Sequence, residues 1–388
     1  MIVLGWLVLE LTDSPFLVGL LGSFRMAAMP ILGLPAGILA DRANRKTILV
    51  ITEGVTVALS IVLFVLVAID KVQFWHIGAL SLAMGMSWVT SFPSRSSIIQ
   101  DLVGSRRLTT AMSLDMAAMN ASRMLAPILG GLLLGFVGTK AATLTMAVLY
   151  FIGFLMVIRV QAPVRTITIV KEPIPQLLSE GLRYVLKSRV LLATILITIV
   201  ANLFLFPYML MVPVFARDVL GVGPFLMGMM ASIDGLGALV GSVILASRRT
   251  IRGPGRIFAY GTSGATVAVL MFALSPLFGL SLVILFVVGL FFSTFATMQP
   301  TLMLLGSPPK MRGRAMGVMM LAIGAGPIGF ALIGASAEAW GAPTAVAVNC
   351  IIGVVLMTAI VAGFPAIRRS QTFPDQKATE SSEPNQAQ

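Results

Sequence analysis

The chain has 388 residues, of which 57% are hydrophobic and only 11% are charged, and its formal net charge is +12. Roughly a quarter of the residues of an average soluble domain are charged, so a water-soluble globular protein of this length is excluded. The single cysteine and the single histidine exclude an intrachain disulfide and a metal centre built from several such ligands. The composition therefore indicates a protein that lies mostly in lipid, and no cofactor is predicted.

Apolar stretches long enough to cross a bilayer, which takes about 20 residues, recur along the chain. The sequence predicts eleven spans, at residues 14–40, 47–69, 73–97, 107–137, 140–160, 190–214, 223–247, 255–275, 279–305, 313–337 and 342–364. Residues 1–11 are apolar but too short to span, and they lack the basic start and cleavage site of a signal peptide. We interpret them as the second half of a first helix that begins upstream; the alternative is a genuinely short helix.

Basic residues predict the orientation of the spans, because cytoplasmic loops of membrane proteins carry an excess of lysine and arginine. If the segment before residue 1 starts in the cytoplasm, 22 of the 27 lysines and arginines fall in cytoplasmic segments, and only Lys71, Lys140 and Arg217 fall outside. This topology explains the basic charge, so no nucleic-acid partner is predicted. We expect a multi-pass protein of a bacterial-type inner (cell) membrane, in contact with the lipid bilayer, with both ends of the full-length protein in the cytoplasm.

The longest internal loop divides the chain into two hydrophobic blocks. The predicted units are an N-terminal helical half (1–160), a cytoplasmic linker (161–189), a C-terminal helical half (190–365) and a polar tail (366–388). Leucines alternate with charged residues in the second part of the linker, which predicts an amphipathic helix on the membrane surface. The tail is rich in Ser, Pro and Gln and is expected to be disordered.

The two blocks carry similar segments in the same order. Residues 14–19 resemble residues 223–228, and residues 126–128 resemble residues 326–328. A duplication of six plus six helices predicts a substrate path between the halves, near the middle of the membrane.

One loop has the spacing of a known signature. Gly37 is followed by Asp41 and Arg42, and then by Arg45 and Lys46. This loop resembles the signature loop of the major facilitator superfamily. The resemblance implies an all-α polytopic membrane protein with two six-helix halves related by pseudo-two-fold symmetry, in which residues 1–11 would be the truncated first helix. It also implies that this loop gates the conformational change. An ordinary charged loop is the alternative.

This sequence has Asn44 where the family usually has its second glycine. Asparagine tolerates left-handed backbone geometry, so we expect the turn to be kept.

A second motif lies in the span predicted at 107–137. It comprises Ser122, Ala126, Pro127, Gly130 and Gly131. These residues resemble the antiporter motif of the same superfamily, with Ser122 and Ala126 in place of glycines. The resemblance favours proton-driven export over uptake; the alternative is that these small residues only pack helices together.

Three shorter segments, at residues 6–15, 93–95 and 180–185, are similar to the subgroup that contains enterobactin exporters and related bacterial drug exporters. The similarity implies export of a small hydrophobic or siderophore-like molecule. It does not identify that molecule, because the superfamily uses one scaffold for many solutes.

Among the ionisable residues inside predicted spans, four lie on spans that, by the resemblance, line the cavity: Arg25, Asp115, Arg123 and Asp234. A charge in the bilayer is expensive unless it meets water or a partner, so a functional role is the default hypothesis. The resemblance pairs the spans that carry Arg123 and Asp234. We therefore expect Asp234 to take up the coupling proton and Arg123 to lie beside it, with a static buried ion pair as the alternative.

Aromatic and polar side chains in the spans are weaker candidates for contact with a varied apolar substrate. They are Trp88, Phe204, Tyr208 and Gln299.

Taken together, the sequence predicts a proton-coupled exporter of a small molecule. The alternatives are an uptake or facilitative transporter and a non-transporting membrane sensor with a transporter fold. No arrangement of residues typical of an enzyme is found in the spans.

Overall fold

The computed structural model describes residues 1–42, 44–161, 174–248 and 253–369. Within them it does not describe the side chains of residues 33–42, 93, 105, 106, 108, 109, 113, 174, 175, 177 and 309. Every regular element in these ranges is helical. The first part of the predicted linker (162–173) and the polar tail from residue 370 lie outside the described residues.

The N-terminal half is built from five helices. They are α1 (Ile2–Thr12), α2 (Pro15–Arg42), α3 (Arg45–Ala68), α4 (Phe74–Phe136) and α5 (Thr139–Arg159). Helix α4 contains both spans predicted at 73–97 and 107–137, and the two are divided at Gly104. Gly104 has a φ of +67°, a conformation that glycine adopts without the clash of a side chain. A single glycine therefore replaces the expected loop between these two spans.

The amphipathic helix α6 (Ile174–Lys187) follows the linker and leads into the C-terminal half. The helices of that half are α7 (Arg189–Val200), α8 (Tyr208–Val214), α9 (Pro224–Ala246), α10 (Pro254–Ala273), α11 (Phe278–Leu305), α12 (Arg312–Ile323), α13 (Gly326–Trp340) and α14 (Ala342–Gly363). The π-helical turn Ala201–Leu205 lies between α7 and α8, and a second one, Phe215–Val219, follows α8, so that together they form one span, Arg189–Val219.

Ten helical segments of the described chain are long and apolar enough to cross a membrane. The eleventh predicted span, at 73–97, lies in the first half of α4. The short helix α1 has 11 residues and is not one of the ten. The prediction of an all-α polytopic membrane protein is therefore confirmed.

The halves meet through two equivalent helix pairs, α2 with α13 and α4 with α9. At the first pair, a Cβ atom added to Gly19 would lie 2.6 Å from the carbonyl oxygen of Phe330. At the second, a Cβ atom added to Gly131 would lie 2.5 Å from the carbonyl oxygen of Pro224. Both distances are shorter than van der Waals contact, so only glycine lets the backbones approach this closely.

These two contacts correspond to each other under the sequence repeat. The segments 14–19 and 326–328 lie on α2 and α13, whereas their repeats 223–228 and 126–128 lie on α9 and α4. Each helix pair thus joins the start of one half to the end of the other, as a pseudo-two-fold axis between the halves requires.

Candidate transport site

An ion pair inside the membrane joins the two halves. The guanidinium Nη2 of Arg123, on α4, donates to the carboxylate Oδ2 of Asp234, on α9, at 2.8 Å. Only 6% of the Asp234 side chain and 25% of the Arg123 side chain are exposed. The two helices approach closely here because Gly235 has no side chain. A Cβ atom at this position would lie only 2.9 Å from the carbonyl oxygen of Arg123. The backbone therefore holds the two charges within hydrogen-bond reach.

The depth of this pair follows from helix geometry. Asp234 lies ten residues after Pro224, the first residue of α9. At ~1.5 Å per residue, it lies about 15 Å along the helix, which is half of a hydrocarbon core of ~30 Å. The pair is therefore near the middle of the membrane, between the halves.

Tyr208 and Phe292 complete the surroundings of the pair. The hydroxyl of Tyr208 donates to the second carboxylate oxygen of Asp234, Oδ1, at 3.3 Å. The guanidinium carbon of Arg123 lies 3.8 Å from the centre of the Phe292 ring, which is a cation–π contact. We call these four residues, Arg123, Asp234, Tyr208 and Phe292, the central cluster.

Local backbone irregularity places Tyr208 in the cluster. The π-helical turn Ala201–Leu205 and Pro207 directly precede it. Such turns rotate the helix relative to a regular α-helix and are frequent at functional sites. Tyr208 is buried, with 3% of its surface exposed. The residue proposed from sequence as a substrate contact is thus bound to the carboxylate.

Sequence reasoning missed Phe292. It is one of 22 phenylalanines in an apolar chain, and no spacing distinguishes it from those that face lipid. The ring of Phe206 lies 5.5 Å from that of Phe292 and 4.8 Å from that of Phe295. An aromatic wall therefore extends from Arg123 into the C-terminal half.

The other two ionisable residues do not join the cluster. Asp115 pairs with Arg95, and both lie on α4, on either side of its break at Gly104. Arg25 lies half-buried on α2 and forms no ion pair or side-chain hydrogen bond within the described part of the chain. Arg25 corresponds to Asp234 at the offset of the repeat that relates residues 14–19 to residues 223–228, yet the two residues lie in different environments.

The remaining substrate-contact candidates differ in how far their side chains are exposed and in whether they already have a partner. The side-chain amide of Gln299 is buried and donates to the hydroxyl of Thr198 at 2.8 Å. Phe204 is partly buried, and a Cβ atom on Gly353 of α14 would touch it. Trp88 is 43% exposed and lies against Phe92. Of these candidates, Trp88 is the most accessible.

Residues of the antiporter-like motif lie in the contact between α4 and α9. Pro127 and Gly131 face Gly228 of α9. A Cβ atom added to Gly228 would lie 2.5 Å from the carbonyl oxygen of Pro127 and 3.0 Å from the Cα of Gly131. Gly130 faces α1 instead, and Ser122 and Ala126 are exposed. The motif therefore contributes close backbone packing one to two turns from Arg123.

The signature loop is described in part. The roles assigned to Gly37, Asp41 and Arg42 concern side chains outside the described residues. Asn44 does not take the left-handed conformation that we expected. Its backbone is extended, with φ −62° and ψ 115°, and its side-chain oxygen accepts hydrogen bonds from the backbone N–H groups of Lys46 and Thr47.

This geometry makes Asn44 the N-cap of α3, for which asparagine is among the best residues. Next to it, Arg45 donates to Asp101 of α4 at 2.8 Å. The start of α3 is therefore attached to the first part of α4.

Two polar contacts between the halves lie at the membrane side predicted to face outside. Arg217, after α8, donates to the Oδ1 of Asp13 at 2.5 Å and to the carbonyl oxygen of Leu9 at 3.1 Å. Glu338, on α13, accepts from the Ser14 hydroxyl at 2.9 Å and from the backbone N–H of Phe16 at 3.1 Å. We call the contacts of Arg217 and Glu338 the outer latch. Sequence analysis counted Arg217 only as a charge on the outer side and overlooked Glu338.

The two packed halves, their repeat-related contacts and the buried pair between them define a transporter of the major facilitator type. Solved transporters of this type have the same fold. A bacterial homologue of the human lysosomal transporter Spinster, in an inward-facing and unoccupied conformation, matches with a TM-score of 0.71 at 14% identity, covering 96% of each chain. A nucleoside transporter matches with a TM-score of 0.73 at 15% identity, covering 95% of this chain and 94% of the other.

The chain belongs to the family described as transmembrane secretion effectors, whose model matches residues 1–386. It is 26% identical to the enterobactin exporter of Shigella flexneri over 376 residues, covering 94% of this chain and 87% of the exporter. It is also 26% identical to the enterobactin exporter of Escherichia coli strain SMS-3-5, covering 96% and 89%. The protein is thus a multi-pass membrane transporter of small molecules, not an enzyme, and the resemblance found in its sequence is confirmed.

Proposed function

We propose that this transporter exports a small hydrophobic or siderophore-like molecule across a bacterial inner membrane in exchange for protons. The observation that carries the proposal is the Arg123–Asp234 ion pair, which links α4 to α9 across the two halves. The names of the relatives as enterobactin exporters and the antiporter-like motif support the direction of transport.

The pair offers a simple way to couple a proton to movement. While Asp234 is ionised, its attraction to Arg123 holds the central parts of α4 and α9 together. Protonation of Asp234 removes its charge and the stronger, charge-assisted form of the hydrogen bond. The halves then separate more easily at this contact, and the site becomes accessible from the other side.

Phe292 and Tyr208 make this exchange less costly. When Arg123 leaves Asp234, its guanidinium keeps the Phe292 ring as a partner, so the cation is not left in an apolar environment without any favourable contact. Tyr208 can donate to either form of Asp234 because its hydroxyl contacts the oxygen that Arg123 does not use. The cluster thus contains a partner for each group in both protonation states.

Transport by reconstituted vesicles tests the proposal. Substrate movement is measured with and without an imposed pH gradient for the wild-type protein and for Asp234→Asn. Asp70→Asn serves as the control, because Asp70 is 77% exposed and its one ion pair within the described residues is with the exposed Lys140. We expect gradient-driven export to be lost in Asp234→Asn and kept in Asp70→Asn. Wild-type coupling in Asp234→Asn would eliminate this residue as the proton carrier, and net uptake down the proton gradient would reverse the proposed direction.

A further inference from the structure

One face of the amphipathic helix α6 packs against the C-terminal half. Val185 is 1% exposed and packs in a cluster with Leu191 of α7 and Val318 of α12. Glu180 forms an ion pair with Arg314, and the Tyr184 hydroxyl donates to the carbonyl oxygen of Gly306 at 3.0 Å. These contacts hold α6 against the first turn of α12.

A glycine makes this docking close. A Cβ atom on Gly181 would lie 2.7 Å from the carbonyl oxygen of Arg314, so a larger residue would push the two helices apart. Helix α6 therefore moves together with α12, whose span continues into α13, the helix that packs on α2 of the other half.

The opposite face of α6 has no such packing. Leu182 is 49% exposed and Leu186 is 56% exposed. Arg183 and Lys187 are exposed beside them. Within the ranges that the structure describes, neither cation forms an ion pair or a side-chain hydrogen bond. Because residues four apart lie on one side of a helix, the leucines form an apolar stripe and the cations form a basic stripe next to it.

The position of α6 puts both stripes at the boundary of the bilayer. The helix ends at Lys187 and the span of α7 begins at Arg189, while its docked face contacts the start of the α12 span. A helix at this level, with an apolar stripe beside a basic one, is suited to lie in the plane of the membrane surface. Its cations would meet the headgroups, and anionic headgroups complement their charge.

We propose that α6 binds the surface of a bilayer that contains anionic phospholipids. Leu182 and Leu186 enter the boundary between headgroups and acyl chains, and Arg183 and Lys187 contact anionic headgroups. Because α6 packs on α12, this contact couples the position of the α12–α13 span to the lipid surface. Anionic lipid therefore increases the rate at which the C-terminal half moves during transport. This last step rests on the proposed transport function, whereas the binding itself does not.

The binding is measured without transport. Ser179, which is exposed on the same side of α6, is changed to cysteine for labelling with an environment-sensitive dye, in a Cys350→Ser background that removes the chain's only other thiol. The labelled full chain is placed in vesicles of phosphatidylcholine alone or mixed with phosphatidylglycerol. Quenching of the dye by spin-labelled lipid reports how often α6 lies in the membrane surface.

The charge variant is Arg183→Gln with Lys187→Gln, and its matched control is Arg248→Gln with Arg256→Gln. The control removes two exposed cations on the same predicted side of the membrane. We expect phosphatidylglycerol to increase quenching in the wild type and in the control. In the charge variant the lipid-dependent binding should fall by about fivefold for each cation removed, and by on the order of 25-fold for both. High salt should reduce the wild-type response, since it screens exposed charges.

Two results would overturn the proposal. One is equal quenching of the wild type in both kinds of vesicle, and the other is an unchanged response to phosphatidylglycerol in the charge variant. Transport rates in the same vesicles then test the second step. Normal transport with no dependence on phosphatidylglycerol, despite intact binding, would refute the link to movement while leaving the exporter function in place.

Discussion

The Arg123–Asp234 pair predicts an unequal response to removal of its two members. In Arg123→Ala, the Asp234 carboxylate stays buried without its cation. Breaking a buried pair in this way typically costs about 3–5 kcal/mol, and we expect a value near the lower end because 25% of the Arg123 side chain is exposed. In Asp234→Asn, the guanidinium keeps Phe292 at 3.8 Å, so we expect a loss of only about 1 kcal/mol.

The double variant distinguishes pairing from general damage. With Arg123→Ala and Asp234→Asn combined, no buried charge is left unpaired at this site. The double variant should therefore be more stable than Arg123→Ala alone, by about 1–2 kcal/mol. Unfolding titrations of the purified protein in mixed micelles measure all four stabilities. If the two single effects simply add, the pair makes no net contribution to holding the halves together, and the reasoning fails.

Transport by the same variants adds a second measurement. Asp234→Asn should lose gradient-driven export but retain substrate binding or downhill exchange, because only the charge change is removed. Arg123→Ala should impair export, because the Asp234 carboxylate loses the cation that joins α9 to α4 across the two halves. Transport in vesicles with and without an imposed pH gradient checks both results. Wild-type export in Arg123→Ala would contradict the coupling role of the pair.

Three further predictions follow from the contacts between the halves and from the signature loop. Arg217→Gln combined with Glu338→Gln removes the charges of the outer latch. Labelling of a cysteine introduced between the halves should then increase severalfold from the outer side. Unchanged labelling would show that the latch does not hold that side closed. Gly131→Val places a side chain against the carbonyl oxygen of Pro224 and should reduce transport at least tenfold, or about 1.4 kcal/mol, with a normal transport rate as the contrary result. Asp41→Asn should slow transport while expression and membrane insertion stay normal, and equal turnover with equal accessibility from both sides would argue against a gating role.

The membrane architecture was predictable because it depends on local and periodic properties. Hydrophobic stretches of sufficient length specify the spans, although a break at Gly104 stands where a loop was expected. The repeat at 14–19 and 223–228 already indicated which helices correspond in the two halves. The presence of Arg123 and Asp234 in apolar spans marked them for attention, since an isolated charge is expensive there.

Other features needed the tertiary structure, because they depend on contacts between residues far apart in the chain. Phe292, Tyr208 and Asp234 are brought to Arg123 by helix packing and by the π-helical turn before α8. Nothing in the spacing of an apolar helix distinguishes a phenylalanine that faces a cation from one that faces lipid.

The same distinction holds for Arg25 and Arg123, two arginines that lie inside predicted spans. Both α4 and α2 pack against the other half, but only Arg123 meets a carboxylate there, Asp234, whereas Arg25 forms no ion pair within the described residues. Composition and periodicity determine that each charge lies in a span, because lipid exposure selects for apolar neighbours along one segment. Which charge meets a partner depends on where a second, distant segment packs, and that is decided only when the helices assemble.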